Sequence, residues 1–200
     1  MLLSSGVIWR HRSFEAFREE CPGGDPALQR LLFERLDDAL DWLERSAVPA
    51  SGRDTGNPHT VGRRFDPRAL TDALACAAGR VSLSRPLVAL PDEPVVLATG
   101  GFGASFARER GLPLRAAPWS EGDGLRLACE RGAAVTYTIG GLRIDERARV
   151  LREDGSPIAG LYAAGADAGG IATGGYASGL ASALVLGLVA AEDAVASSSK

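Results

Sequence analysis

The sequence predicts an α/β fold with one main domain over residues 1–200, on the strength of three observations. Val95-Val96-Leu97-Ala98 is a short apolar, β-branched run that stops at Thr99-Gly100-Gly101. Gly160 to Ala164 is a small-residue strand that leads through a glycine-rich loop into an apolar helix. Two amphipathic helices open on the same aspartate-proline pair, Asp25-Pro26 and Asp66-Pro67. Strands that end in bare glycine backbone beside helices are the pattern of open α/β sheets, which bind ligands beyond the strand ends.

Each element follows from local chemistry. Asp25 is an N-cap and Pro26 a first-turn proline. Leu28, Leu31, Leu32, Leu36, Leu40 and Leu43 then recur at helical spacing, predicting a helix from Pro26 to about Arg45. Asp66-Pro67 starts a second helix through Leu70 and Leu74, closed by Gly79. Residues 51–64, rich in Gly, Asn, Pro and Thr, read as a loop, and Arg80 to Ser84 as a short strand. Val95 to Ala98 suits a strand buried on both faces. An amphipathic segment runs from Asp123 to Arg131. Strands are expected at Val135–Ile139, Leu142–Ile144 and Arg149–Leu151, with a hairpin turn at Asp154-Gly155. The last helix begins near Ser178 and runs to about Ala194.

Composition narrows the function classes. A net charge of −3 gives no electrostatic reason for nucleic acid as a partner. Three widely spaced cysteines form no CxxC pair, and there are only two histidines, so neither a metal site nor a disulfide framework is expected. A reducing, cytoplasmic setting follows. The apolar run Leu180–Ala191 is short of a membrane span and reads as a buried helix. No signal peptide is expected at the N-terminus.

Three segments carry the chemistry. Val95 to Phe102 brings bare backbone to the end of a strand; its plain alternative is an ordinary turn. Gly160 to Asp167 packs small residues closely and ends in a carboxylate suited to sugar-type hydroxyls, or to capping a loop. Gly169 to Leu180 places two glycine pairs before an apolar helix, whose N-terminal amides and dipole favour negative charge.

Together, and in this order, the segments resemble FAD-dependent oxidoreductases of the fumarate reductase, succinate dehydrogenase and 3-ketosteroid dehydrogenase family. Val95–Phe102 is similar to the family's VVLATGGF segment, Thr138–Leu142 to its T-x-GG segment, and Leu161–Asp167 to its LYAAGE/D segment. Gly174–Leu184 resembles the helix start beneath the flavin, and Ser4–Trp9 the S-G-G-x-x-W stretch. The resemblance is richest between Thr136 and Ala190. It implies a glutathione-reductase-type, Rossmann-like FAD domain, here partial and with a much reduced cap. Measured against the family, the sequence carries no G-x-G-x-x-G segment and little of the cap inserted before T-x-GG. Residues 46–65 are a candidate remnant of the substrate-side loop.

What the resemblance implies for single residues is as follows. Thr99, Gly100 and Gly101 would run along the adenosine or pyrophosphate. Gly165 and Asp167 would meet the ribityl chain or neighbouring phosphate. Amides near Ser178, Gly179 and Leu180 would face flavin N1 and the C2 carbonyl, and Ser4, Ser5 and Gly6 would lie near the isoalloxazine. Gly140 and Gly141 would line the substrate side. For catalysis the candidates are His59, Arg63 and Tyr176; arginine pairs well with a substrate carboxylate. A solvated basic loop is the plain alternative for His59, Arg63 and Arg64. Tyr137 is a further candidate proton donor, and His11 reads as a surface histidine.

The expected activity is hydride transfer between FAD and a C–C bond next to a carbonyl or carboxylate, with a carboxylate, ketone or steroid-like substrate. The alternative is an inactive or partner-dependent flavoprotein fragment, with a second chain supplying the G-x-G-x-x-G half. A nicotinamide-binding protein is disfavoured by the missing fingerprint.

Overall fold

A computed structural model describes residues 4–114, 117–136 and 141–198. It shows a mixed α/β chain with two small sheets and two long helices packed across them. The first sheet is an antiparallel pair, β1 (Val7–His11) and β2 (Thr60–Arg64), in register from Val7 opposite Arg64 to His11 opposite Thr60. The second has the order β3 (Val95–Leu97), β5 (Pro157–Ala163), β4 (Arg149–Leu151). There β3 runs parallel to β5, and β4 runs antiparallel to it.

The cap-plus-proline helices form as their sequences require. In α2 (Pro26–Ser46) the Asp25 carboxylate accepts from the amides of Ala27 and Leu28. Its buried face is Leu28, Gln29, Leu32, Leu36, Ala39, Leu40 and Leu43. In α3 (Pro67–Ala77) Asp66 accepts from the amide of Ala69, and Gly79 takes the left-handed conformation just beyond the end. Two short helices that the pattern did not single out also form: α1 (Phe14–Glu20) ahead of α2, and α4 (Gly103–Arg110) ahead of α5 (Asp123–Glu130). The last helix, α6 (Gly179–Ser198), is long and apolar enough by length and composition to cross a membrane. One face of it packs into the core, where Ala181, Ser182, Val185, Leu186, Val189 and Ala190 are buried.

Four expectations change. Residues 60–64 are not loop but strand β2, because β1 supplies the ladder partner. Arg80–Ser84 makes no strand, and Val81 and Leu83 lie exposed. The run at 95–97 is not buried on both faces: β3 is an edge strand, and Val96 is 37% exposed. Around 135–144 the described residues make isolated bridges, Val135 with Leu142 and Ile144 with Val150, rather than full strands. The Asp154-Gly155 turn forms as expected, with Ser156 donating from its amide and hydroxyl to the Asp154 carboxylate.

One ion-pair cluster joins the first sheet to α2. Arg63, on β2, is buried and donates to the carboxylates of Asp41 and Glu44, one turn apart on α2; the Glu44 contact is 2.5 Å. The hydrogen bond from Arg63, then its charge, hold the Asp41 carboxyl below its ordinary range. A carboxyl depressed in the folded state adds stability above its unfolded value, about pH 4, and loses it as pH falls through the folded value.

Two outcomes are expected. Leu36→Ala, at a fully buried position, should cost about 2–5 kcal/mol by chemical denaturation, and a loss under about 1 kcal/mol would mean the core is not packed there. Arg63→Met should lower stability near neutrality by roughly 2 kcal/mol and flatten its decline in acid. An unchanged acid limb would show that the Asp41 contact does not form in solution.

Candidate functional site

The loop between β5 and α6 organises the site. It leaves β5 through a single 3-10 turn, Gly165–Asp167, and passes Gly169, Gly170, Gly174 and Gly175 before Ser178. Residues of the α1–α2 corner hold it. The amide of Gly23 donates to the carbonyl of Thr173 at 3.1 Å, and that of Asp25 to Gly170 at 2.7 Å. Gln29, wholly buried, donates to the carbonyls of Cys21 (2.9 Å) and Ile171 (2.8 Å), while its own oxygen accepts from Arg18 at 2.6 Å. Gly175 lies so close to the end of α1 that a Cβ there would sit 1.7 Å from the Glu20 carbonyl oxygen. Only glycine fits.

A second tie joins this loop to the end of β3. Asp167 is 1% exposed. Its carboxylate accepts from the Thr99 amide, from the Thr99 hydroxyl at 2.9 Å and from the Gly100 amide at 3.3 Å. Gly124, on α5, packs against the pair; a Cβ there would lie 2.6 Å from Thr99 Oγ1 and 3.1 Å from Asp167 Oδ1. Gln29 and Gly124 were not evident as site residues, because their partners lie far away in sequence.

Among the described residues several spaces open around this frame, and three of them hold expected site residues. The first is a cleft of about 540 Å³, walled by Gly100–Gly103, Gly165, Ala166, Ala168–Thr173 and Ala177–Gly179. Its lining is small and mainly apolar, with the Ser178 and Ser182 side chains at the helix start. The second is an apolar groove of about 390 Å³ that includes Ser4, Gly6, Leu70, Leu180, Leu184 and Leu188. The third is a polar, aromatic pocket of about 590 Å³, lined by Trp9, His11, His59 and Tyr176 among others.

The expected site residues therefore divide. Gly100, Gly101, Gly165, Ser178 and Gly179 converge on the cleft. Thr99 and Asp167 stand behind it, holding its wall together, and are not among its lining residues. Ser4, Gly6 and Leu180 border the apolar groove; Ser5 is exposed nearby and its hydroxyl accepts from the Val7 amide. His59 and Tyr176 share the aromatic pocket, 69% of Tyr176 being exposed. Arg63 is committed to Asp41 and Glu44. His11, expected at the surface, is partly buried and stacks on Phe17 at 5.3 Å. Tyr137, Thr138 and Gly140 lie outside the described residues.

The cleft suits the flat, edge-polar ring system of a flavin. Glycines let a planar group approach the backbone, and α6 is long enough for a full dipole. Ser178 caps that helix: its hydroxyl accepts from the Ala181 amide at 3.3 Å, and its carbonyl from the Ser182 amide. The amides of Gly179 and Leu180 have no partner among the described residues. They are donors available to an acceptor edge.

The Asp167 tie can be tested. Asp167→Ala should lower stability by roughly 2–4 kcal/mol, since it strands two amides and a hydroxyl. Asp167→Asn should retain part of that loss. Normal stability combined with weakened flavin retention would instead mean that the carboxylate contacts the cofactor directly.

Comparison with known proteins finds a family model, a relative and a solved structure similar to this chain. Residues 132–182 match the family model described as FAD binding domain. An NADH:acrylate oxidoreductase of Vibrio harveyi is 45% identical over 69 residues, which is 34% of this chain and 7% of that protein. The chain thus spans only a small part of that relative. The fold is that of part of a flavocytochrome c3 fumarate reductase solved in an open conformation: TM-score 0.71 at 16% identity, over 96% of this chain and 68% of that one. Over the matched stretches the chain is similar to FAD-binding oxidoreductases, it shares its fold with part of a fumarate reductase flavoprotein, and these matches indicate FAD as the cofactor.

Proposed function

We propose that the protein moves a hydride between FAD and a C–C bond next to a carbonyl or carboxylate of a small molecule. The observation that carries this reading is the pair of unpartnered amides, Gly179 and Leu180, at the start of a 20-residue helix beside a small-residue cleft. Gly100, Gly101 and Gly165 would form the cleft wall against the cofactor, in a partial Rossmann-like domain. The helix dipole would stabilise negative charge on the ring, a fixed electrostatic contribution made without reorganisation. FAD, when bound, supplies the hydride chemistry.

The substrate side of this reading is the pocket shared by His59 and Tyr176. The Tyr176 hydroxyl would hold a proton toward a substrate carbonyl, with His59 across the same pocket. Arg63 would act at a distance, fixing β2 to α2 rather than pairing with a substrate carboxylate. In this reading residues 46–65 are the substrate-side wall of one domain. A soluble cytoplasmic setting fits three cysteines that are all unpaired.

One observation favours a second reading. Among the described residues β3 pairs with β5 alone, which leaves its other edge without a ladder partner there, and the sequence has no G-x-G-x-x-G. A segment supplied by another chain and pairing along β3 would complete the phosphate-binding half, leaving the isolated chain without catalysis.

Purification decides between them. A yellow preparation with flavin absorbance, which then exchanges electrons with an α,β-unsaturated carbonyl or carboxylate compound, supports the first reading. A colourless protein that takes up FAD only when a G-x-G-x-x-G-bearing segment is added supports the second. Failure to take up FAD under either condition rejects both. Within the first reading, Tyr176→Phe and His59→Ala should lower turnover about 10²-fold or more, the range of acid–base catalysis, with flavin content unchanged.

A further inference from the structure

The aromatic pocket has a charge character of its own. Trp9 and Tyr176 form two of its walls, ring centroids 5.7 Å apart and tilted by 41°. His11 stands edge-on to Trp9 at 5.3 Å. Thr55, Asn57, His59 and Thr60 line the β2 side, and Glu19 and Glu20, at the end of α1, line the other. Neither arginine nor lysine is among the lining residues.

Three arginines of β1 and α1 and the turn between them are engaged elsewhere. Arg10 donates to Asp37 at 2.7 Å and to the His11 carbonyl, and lies over the Phe33 ring. Arg18 donates to Gln29 and to the carbonyls of Gly24 and Pro22. Arg12, exposed outside the pocket lining, donates to the Pro58 carbonyl. The carboxylates are less committed. Glu20 accepts from the Tyr176 amide at 3.3 Å, and the exposed Glu19 has no partner among the described residues. His11 Nε2 is buried without a hydrogen-bond partner among the described residues. A concavity with two aromatic faces, two carboxylates and an unused imidazole nitrogen fits a cation, since indole and phenol faces attract ammonium groups and carboxylates repel anions.

We propose that this pocket binds a small organic cation, an amine or quaternary ammonium carried on an apolar or aromatic body. The ammonium group sits between the Trp9 and Tyr176 rings and Glu20. Binding does not depend on flavin. Its meaning as a substrate preference rests on the proposed oxidoreductase reading, within which it selects a cationic carbonyl compound over a free carboxylate.

The test uses benzylammonium and benzoate, similar in size and opposite in charge, titrated calorimetrically into the purified whole chain. Benzylammonium should bind at least tenfold more tightly than benzoate, and more weakly as salt rises. Glu20→Gln and Tyr176→Leu should each weaken benzylammonium by about tenfold. Glu146→Gln, an exposed acid outside the pocket lining, should leave it unchanged. Circular dichroism and Tm confirm that each variant is folded, and Glu20→Asp supplies a second variant that keeps the charge and should bind better than Glu20→Gln. Equal or tighter benzoate binding, no benzylammonium binding, or affinity indifferent to both Glu20→Gln and Tyr176→Leu would overturn the proposal. Flavin content measured on the same samples separates this failure from failure of the oxidoreductase reading.

Discussion

The candidate site depends on one buried carboxylate. Asp167 sits just past β5 and accepts hydrogen bonds from Thr99 and Gly100 just past β3, so two parallel strands end in a shared knot. Burying a polar side chain is costly unless its acceptors are met, and here backbone and hydroxyl donors meet them. The gain is positional. Gly100 and Gly101 on one wall and Gly165 on the other are fixed at the spacing that makes the cleft. The second restraint, Gln29 with Gly23 and Asp25, does the same for the far end of the loop. A glycine-rich segment that loses much entropy on ordering is thereby held at several points by the α1–α2 corner.

How much was legible in the sequence follows from how local each signal is. Helices α2 and α3 were readable because Asp-Pro caps and leucine spacing act within a turn or two. The hairpin at Asp154-Gly155 was readable for the same reason. Strand β2 was hidden, because a Gly- and Asn-rich approach looks like loop until β1, some fifty residues earlier, pairs with it. Conversely, Arg80–Ser84 has strand-like residues but no ladder partner, and pairing rather than propensity decides a strand.

The site shows the same division. Motif order pointed to the cleft and to the helix that opens on it, since small residues and an N-terminal turn are local features. The direction of a side chain was not legible. For Asp167 the sequence offers both a ligand-facing carboxylate and a loop cap, and its partner lies 68 residues earlier; for Arg63 it offers a substrate clamp or a solvated loop, and neither reading contains Asp41 and Glu44, which lie against it. His59 and Tyr176 were separate candidates in the sequence; they line one pocket, and Trp9 and His11 join them from a strand that had not been assigned.

The open side of β3 has a consequence for the molecule's company. Main-chain groups with no ladder partner among the described residues make it a template, and Val96 offers apolar surface beside them. Any extended peptide, whether another stretch of its own polypeptide or a stranger's, is matched there by backbone before side chains can discriminate. Selectivity at that border must come from what lies on either side of it: the glycine turn at 100–101 ahead and Pro94 behind, which together leave three residues of ladder. A border so short rewards a correct neighbour modestly and a wrong one hardly at all.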